Sequence, residues 1–594
     1  MKSKKLHIIT FIKLAFKYVP FHSAGLLIIN IINGLIPFLQ IMITTRLIDS
    51  VVHYTDAAYR NISYQCFFML IALQVYGTLI SSASNIIMQR ATISMQKTYR
   101  YTVIEKCAKL KYQYIENDTA WDLISRMLNW PESVVLNNYT ALLHVIEAII
   151  SAISIVVVIF THVWWAALII LSCCPLLFWL AVKSGKAQYK AQKDATLVTR
   201  KYEYLSAVLS GRDNVDERNL FNYSDEINDR YVKAFGEAFS TKVRTRWGWF
   251  LKTKLGGMFT VLAGVAVILI LLQPTLNRTL SIGLYISIIT SIFSLTSRLS
   301  WGLSGNVDAL TQGCEYMREM DEYMKMEEAV NALSPPSYSS EIKNITFENV
   351  SFSYPGNDFP VLKNVSFTLE KGKHYAIAGT NGAGKTTIIK LLLGMYSNYE
   401  GNIYINEKEL REYPSDQLKG MFSVVFQDYC RYSLSFRENI VFGKLSLLEN
   451  LDDNKAVEKS INAFDLNKAV ESLPNKLYTN LGKVHEDGVD LSGGEWQRVA
   501  MARAYISPAA VRILDEPTAS LDPISENKIY EHFSKLNTGI LTILISHRLA
   551  STKISDEILV FDEGQLIEQG TFSMLMKMNG LFCSMFEQQR KWYS

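Results

Sequence analysis

Apolar residues in this chain are gathered before residue 305, in runs near the membrane-spanning length of about 20 residues. Six runs, at 23–45, 64–87, 139–161, 163–182, 253–273 and 280–300, are long enough to cross about 30 Å of hydrocarbon as helices. Only His162 and its neighbours separate the third run from the fourth, and residues 274–279 separate the fifth from the sixth. Those joints must be tight turns at one face. The segments 88–138 and 183–252 are long, helical in pattern and basic, with Arg90, Lys97, Arg100, Lys106, Lys109 and Lys111 in the first and Lys183, Lys186, Lys190, Lys193, Arg200 and Lys201 in the second. The positive-inside rule places both segments, and both termini, in the cytosol. The N-terminal Met1-Lys2-Ser3-Lys4-Lys5 leads into an apolar stretch interrupted by Lys13 and Lys17, with no small-residue cleavage site. That pattern fits an interfacial amphipathic helix better than a secretory signal.

Polar residues inside the runs have two kinds of use. Asn30, Asn33 and Gln40 suit helix–helix hydrogen bonds, and Arg298 suits snorkelling at the inner end of the sixth run. His144 and Glu147 lie three apart on one helix face. Within lipid such a pair marks a functional cavity; on a stretch projecting into the cytosol it is a solvated pair. Cys66, Cys107, Cys173, Cys174, Cys314, Cys430 and Cys583 are scattered without metal-ligand spacing and read as reduced packing residues.

A chain of 594 residues needs at least two domains. The break falls where Ser334-Pro335-Pro336-Ser337-Tyr338-Ser339-Ser340 stops any helix. The expected division is a transmembrane domain over 1–330, a linker over 331–343 and a soluble α/β domain over 344–594. The net charge of +4 is nearly balanced and argues against a nucleic-acid partner.

Within the last segment, Gly379-Thr380-Asn381-Gly382-Ala383-Gly384-Lys385-Thr386-Thr387 fits the phosphate-binding loop. His374 to Ala378 reads as a buried strand before it, and Ile388 to Leu393 as a helix after it. The glycines let backbone N–H groups wrap a phosphate. Lys385 can reach the β- and γ-phosphates of ATP, and the Thr386 hydroxyl can hold Mg²⁺. Roughly 130 residues on, Ile513-Leu514-Asp515-Glu516 closes an apolar strand with two acids. Asp515 can bind Mg²⁺ through water, and Glu516 can orient or deprotonate the attacking water. Arg512 interrupts the apolar strand; it either faces away from the side occupied by Ile513 or lies at the sheet's margin.

Leu491-Ser492-Gly493-Gly494-Glu495-Trp496-Gln497-Arg498 places a serine and two glycines at the opening of a helix, a second anion-binding N-terminus. This motif resembles the signature of the ABC transporter superfamily, with Glu495 standing where glutamine is usual. The resemblance extends over nearly the whole chain and implies an all-α six-helix transmembrane domain followed by a P-loop ABC nucleotide-binding domain, the layout of an exporter half-transporter. It implies that Tyr354 stacks on adenine, that Gln427 links Mg²⁺ and water to the membrane domain, that Asp522, in Ser520-Leu521-Asp522, lies in the loop between two sites, and that His547 contacts the γ-phosphate. His485-Glu486-Asp487-Gly488 resembles the exporter loop before the signature, with His485 replacing the usual glycine. Residues 114–126 and 212–223 resemble the two cytosolic coupling segments. The signature acts on ATP held by a second copy, so the resemblance implies a homodimer.

Val424-Val425-Phe426-Gln427-Asp428-Tyr429, Arg437-Glu438-Asn439-Ile440 and the Gly493-Gly494-Glu495-Trp496-Gln497 run are similar to bacterial exporters of lantibiotic and related ribosomal peptides that lack a protease domain. The expected function is ATP-driven export of such a peptide across the cell membrane by alternating access. A lipid or drug exporter of the same architecture is the alternative, and an ATP-gated regulator or channel is the reading from another class.

Overall fold

The computed structural model describes residues 2–162, 164, 179, 183–184, 186–187, 190–191, 196–211, 214–277, 280–297, 304–338, 341–357, 359–450, 454–517, 539–546 and 548–593. The chain forms two compact units, one of Met1–Glu105 with Asp122–Lys325 and the other of Lys106–Trp121 with Met326–Ser594.

The first unit is helical. Among the described residues, three helices are long and apolar enough to cross a membrane: Pro20–Val52, Ala57–Lys109 and Pro131–Thr161, with mean hydropathies of 2.2, 1.7 and 2.6. They contain the first three runs expected from sequence. Gly264–Leu276 and Ile282–Ser294 are shorter apolar helical stretches that overlap the fifth and sixth. The fourth run and Arg298, Cys173 and Cys174 lie outside the described residues or largely so. Helix ends are tied by specific bonds. Asp49 accepts from Ser281 Oγ at 2.8 Å and from Gly283 N at 2.8 Å, so the first of these spans caps the helix Ile282–Ser297. Tyr139 Oη donates to the Ser23 carbonyl at 2.9 Å. Asn30 departs from expectation: its amide donates to Leu26 O, at 2.7 Å on its own helix, instead of bridging two helices. A polar side chain in an apolar stretch takes the nearest backbone acceptor when no facing helix offers one. His144 Nδ1 lies 3.4 Å from Glu147 Oε2, and the histidine is about half exposed.

The second unit is built on two sheets. β1 (Asn344–Phe352), β2 (Leu362–Glu370), β4 (Glu400–Ile405) and β5 (Lys408–Glu409) form an antiparallel sheet in the order β2-β1-β4-β5. The second sheet uses β3 (His374–Gly379), β6 (Phe422–Val425), β7 (Val511–Asp515), β8 (Leu541–Ile545), β9 (Glu557–Asp562) and β10 (Gln565–Gly570), in the order β10-β9-β3-β8-β7-β6. All of its pairings are parallel except β9–β10. β3 is apolar at successive positions because both its faces are covered. Tyr375 and Ile377 join the core shared with β1 and β2, while Ala376 and Ala378 face a cluster containing Leu575 and Phe582. Large buried side chains such as Ile377, Leu575 and Phe582 each contribute about 1.5–3 kcal/mol by leaving water.

Arg512 resolves in favour of its first alternative. β6 lies outside β7, so Arg512 is not at the margin. It is buried, donates through Nη2 to Tyr505 O at 3.0 Å and sits 4.9 Å from the Tyr505 ring, facing the helix Gly493–Ile506. Ile513 points into the opposite core. The five cysteines among the described residues are free, but Cys430 is exposed and packs no core, because it follows β6 on a surface loop. The described part of the linker is non-helical and pinned: Ser337 N donates to Asp416 O at 3.0 Å, and Asn331 Nδ2 to Asp416 Oδ1 at 3.0 Å.

Candidate functional site

β3, β8 and β7 are neighbours, and each delivers its carboxyl end to one edge of the sheet. The phosphate-loop residues follow β3, the Asp515-Glu516 pair closes β7, and residue 546 follows β8. Parallel strands place such ends together, and ligands bind there in open α/β sheets.

The loop is shaped by backbone that only glycine tolerates. Gly379 has φ of 148°, and a Cβ there would lie 2.0 Å from Phe561 O. Gly384 has φ of 92° and sits against the Leu362 side chain, at the mouth of the helix Lys385–Leu392. Lys385 is 5% exposed, and its ammonium donates to Gly379 O at 2.9 Å and Thr380 O at 2.8 Å. Burial pulls its pKa down, while the Glu516 and Asp515 carboxylates act in the opposite sense. Thr380 Oγ1 donates to Asp562 Oδ1 at 2.7 Å, a contact with no signal in the sequence. Asn381, Gly382 and Thr386 are exposed, and Ala383 and Thr387 are buried.

Asp515 is 2% exposed, and its Oδ1 has no hydrogen-bond partner. Burial first, then the Glu516 and Asp428 charges, push its pKa up to about 6 against the pull of Lys385. A buried carboxylate oxygen without a partner is costly, and a hard divalent cation is the ligand that satisfies it. The oxygen donors here therefore fit Mg²⁺. Glu516 holds φ of 49°, a left-handed backbone that costs a non-glycine residue of order 1 kcal/mol. Its N–H donates to Ile545 O at 3.0 Å, which keeps the turn against β8. Gln427 Nε2 donates to Glu516 Oε2 at 3.3 Å, so these two predicted residues meet.

Tyr354 is half-buried at the end of β1, beside the phosphate-loop helix. Its hydroxyl lies 3.0 Å from Thr387 Oγ1, and its ring meets Phe352 and Tyr396 edge-on at 5.0 and 5.4 Å. The Lys390 ammonium stands 5.3 Å from that ring, 5.8 Å from the Tyr112 ring and 2.5 Å from Glu116 Oε1. The basic segment 88–138, in which the helix Tyr112–Glu116 lies, thus shares a lysine with the aromatic cluster around Tyr354. The sequence carries no signal for this contact, which joins residues 274 apart.

Ser492 caps the helix Gly493–Ile506 by a capping box. Its Oγ accepts from Glu495 N at 3.3 Å, and Glu495 Oε2 accepts from Ser492 N at 2.8 Å. The S-x-x-E spacing of Ser492 and Glu495 signals this box in the sequence, and it gives the glutamate at that position a structural use. Tyr429 Oη donates to Gly493 O at 3.1 Å, and Trp496 Nε1 to Asp490 Oδ1 at 3.0 Å. Glu486 is exposed on a turn closed by Gly488 N donating to His485 O at 3.0 Å. Asp522 and His547 lie outside the described residues, as do residues 212–213 of the expected second coupling segment, of which the helix Val215–Phe221 is described.

This arrangement matches known proteins over both units. The family described as ABC transporter matches residues 362–519, and the family described as ABC transporter transmembrane region matches residues 24–299. The chain belongs to the ABC transporters: a membrane protein with a transmembrane region followed by an ATP-binding domain, and hence an ATPase coupled to transport. It is 28% identical over 569 residues to the subtilin transport ATP-binding protein SpaT of Bacillus subtilis, covering 94% of this chain and 90% of that one. It is 26% identical over 578 residues to the nisin transport ATP-binding protein NisT of Lactococcus lactis subsp. lactis, covering 95% and 93%. An ATP-dependent lipid A-core flippase of Alcanivorax borkumensis is 27% identical over 539 residues, covering 91% and 90%. The fold matches a bacterial Atm1-family ABC exporter solved with ATP bound, with a TM-score of 0.77 at 22% identity over 96% of this chain and 98% of that one.

Proposed function

We propose that the protein is a homodimeric exporter that moves a ribosomally made, lantibiotic-like peptide out of the cytosol. The observation that carries the energetic half of this reading is the orphaned, buried Asp515 carboxylate beside Glu516 and Lys385. The full-length similarity to two lantibiotic transporters supports the cargo class.

In this reading Gly379 to Thr387 wrap the phosphates, Lys385 gives up its bonds to the loop carbonyls for phosphate oxygens, and adenine stacks on Tyr354. Thr386, Gln427 and Asp515 would hold Mg²⁺, which supplies positive charge for the phosphoryl oxygens. Glu516, held in line by its strained turn and by Gln427, orients the attacking water, with His547 at the γ-phosphate. Ser492, Gly493, Gly494 and Glu495 of one copy, with Asp522 nearby, close over ATP held by the other. Two nucleotides are sandwiched at the dimer interface, and closing and reopening of that interface turns the cavity outward and back. We assign 1–330 to the transmembrane domain, 331–343 to the linker and 344–594 to the nucleotide-binding domain, with both termini cytosolic. The flippase relative supports lipid as the second cargo reading.

Purified protein in lipid vesicles, assayed for ATPase with and without precursor peptides encoded beside its gene, tests the cargo. Saturable stimulation by one peptide and its accumulation in inside-out vesicles are expected. Stimulation by lipid alone, with no peptide effect, would reject the peptide in favour of lipid.

A further inference from the structure

The hairpin of β9 and β10 lies outside the phosphate loop in sequence, yet it holds that loop in shape. β9 stops at Asp562 and β10 starts at Gln565, and these two residues pair across the hairpin, so Glu563 and Gly564 alone make the turn. Both have positive φ, 45° and 82°, as a tight two-residue hairpin turn demands. Glycine adopts that backbone freely, and the glutamate does so at a cost. The turn is clamped to the start of β2. Lys363 N donates to Gly564 O at 2.8 Å, and a Cβ on Gly564 would lie 2.3 Å from Val361 O.

These same two segments reach both ends of the phosphate loop. At its start, Gly379 pairs with Phe561 across parallel strands, and Thr380 Oγ1 donates to Asp562 Oδ1 at 2.7 Å. At its close, a Cβ on Gly384 would lie 2.6 Å from the Leu362 side chain and 3.2 Å from Val361 O. Thr380 is also a residue whose carbonyl takes the Lys385 ammonium, at 2.8 Å. Its side chain is therefore tied to β9 and its backbone to the lysine. A hydrogen bond to an ionised acceptor is short and strong. Through its charge alone, a carboxylate beside this loop works against an anionic ligand. The bond to the Thr380 hydroxyl is what gives an acid at 562 a use.

We propose, on the reading of residues 379–387 as the loop that wraps the phosphates of ATP, that Asp562 is a positioning residue for that loop. Its carboxylate anchors the Thr380 side chain from outside and so fixes the backbone at residue 380 before nucleotide arrives. Without the anchor, residue 380 gains freedom that phosphate binding must remove again, and affinity for the phosphates falls. Lys385, Asp515 and Glu516 are held by their own helix and strand, so turnover at saturating ATP is retained.

The test uses the full chain in lipid nanodiscs, with ATP for turnover and inorganic tripolyphosphate with Mg²⁺ as a probe that carries no adenine. Asp562→Ala removes the anchor, Thr380→Val removes the hydroxyl and keeps the side-chain shape, and Asp562→Asn keeps an acceptor oxygen. We expect Asp562→Ala to raise KM for ATP and weaken tripolyphosphate binding by roughly five- to tenfold, the scale of one lost hydrogen bond, with kcat within about twofold of wild type. Thr380→Val weakens tripolyphosphate binding as much, and carries the test if Asp562→Ala does not fold. The double variant binds no more weakly than either single one, because both remove the same bond, and Asp562→Asn recovers most of the loss. Wild-type tripolyphosphate affinity in Asp562→Ala, a fall in kcat with KM unchanged, additive losses in the double variant, or Asp562→Asn as weak as Asp562→Ala each overturn the proposal. Lys385→Ala is the control on the loop itself. If it binds tripolyphosphate as wild type does, the phosphate-loop reading falls and the role of Asp562 with it. If it fails to bind while Asp562→Ala and Thr380→Val bind normally, the role of Asp562 falls alone.

Discussion

Replacing Asp515 by asparagine separates what that carboxylate costs from what it does. Its pKa is raised from an ordinary 3.8 to about 6, chiefly by burial. The folded state therefore favours the protonated form. The burial cost is full above about pH 6, shrinks between 6 and 3.8, and vanishes below that. At about 1.4 kcal/mol per tenfold change in proton affinity, the charged group destabilises the metal-free fold by up to about 3 kcal/mol at pH 7.5. The asparagine amide is itself buried and recovers only part of this, so a gain of about 1–2 kcal/mol is a fair expectation. For a unit of this size that corresponds to a rise of about 2–8 °C in its melting transition. The assay is thermal unfolding of the full chain in detergent, with chelator at pH 7.5 and again at pH 5, then with Mg²⁺ and ATP. Asp515→Asn should melt above wild type in chelator at pH 7.5, and the gap should narrow at pH 5. Wild type should gain stability from Mg²⁺ with ATP, while the variant gains little and does not hydrolyse. A variant that melts no higher than wild type in chelator, and that Mg²⁺ with ATP stabilises fully, would refute both the burial cost and the cation assignment.

Four further outcomes are expected. Glu516→Gln should bind ATP normally and hydrolyse almost none, trapping the closed dimer; near-normal steady-state ATPase would remove Glu516 from the reaction. Tyr354→Ala should weaken ATP binding by about 5- to 150-fold, from a stacking energy of roughly 1–3 kcal/mol, with kcat at saturation retained. Tyr354→Phe, which loses only the contact with Thr387, should stay within a few-fold by calorimetry. Glu495→Ala breaks the reciprocal cap at Ser492 and should destabilise the start of that helix by about 1 kcal/mol, whereas Glu495→Gln keeps an acceptor and should hydrolyse ATP faster than Glu495→Ala. Mixing Lys385→Ala with Ser492→Arg chains, each inactive alone, should partly restore ATPase through the one intact composite site of a mixed dimer; no recovery in proven mixed dimers would argue against sharing.

What the sequence could carry was local chemistry in a fixed order. Glycine spacing, a strand before and a helix after were enough to place residues 379–387, because that motif's shape is decided by neighbours in the chain. The end of β7 was legible for the same reason, whereas for Arg512 the sequence left two alternatives and strand order decides for the one facing away from Ile513. The sequence could not show what Arg512 packs against, nor that Thr380 meets Asp562 or that Gln589 meets Leu549. Those pairs are 182 and 40 residues apart and depend on strand order. The left-handed backbone at Glu516 was invisible too, since no residue type announces a strained turn held by β8. Asn30 and Cys430 misled in the opposite way, because residue type alone does not say which face of a helix or loop meets a partner.

The strain and the charge imbalance fall on adjacent residues. Asp515 is buried with an oxygen unbonded, and Glu516 beside it is held at positive φ. Lys385, whose charge partly offsets both, is bonded to loop carbonyls instead of to either acid. A sequence optimised for stability alone would pair the lysine with a carboxylate or replace one of the acids. In the function proposed above, phosphate oxygens would replace the loop carbonyls on Lys385, and the cation would satisfy the one orphaned oxygen, Asp515 Oδ1. The binding free energy of Mg²⁺ and ATP is thus linked to relief of a cost built into the resting fold. Nucleotide without cation, or cation without nucleotide, relieves only part of it, so the two should stabilise the protein cooperatively.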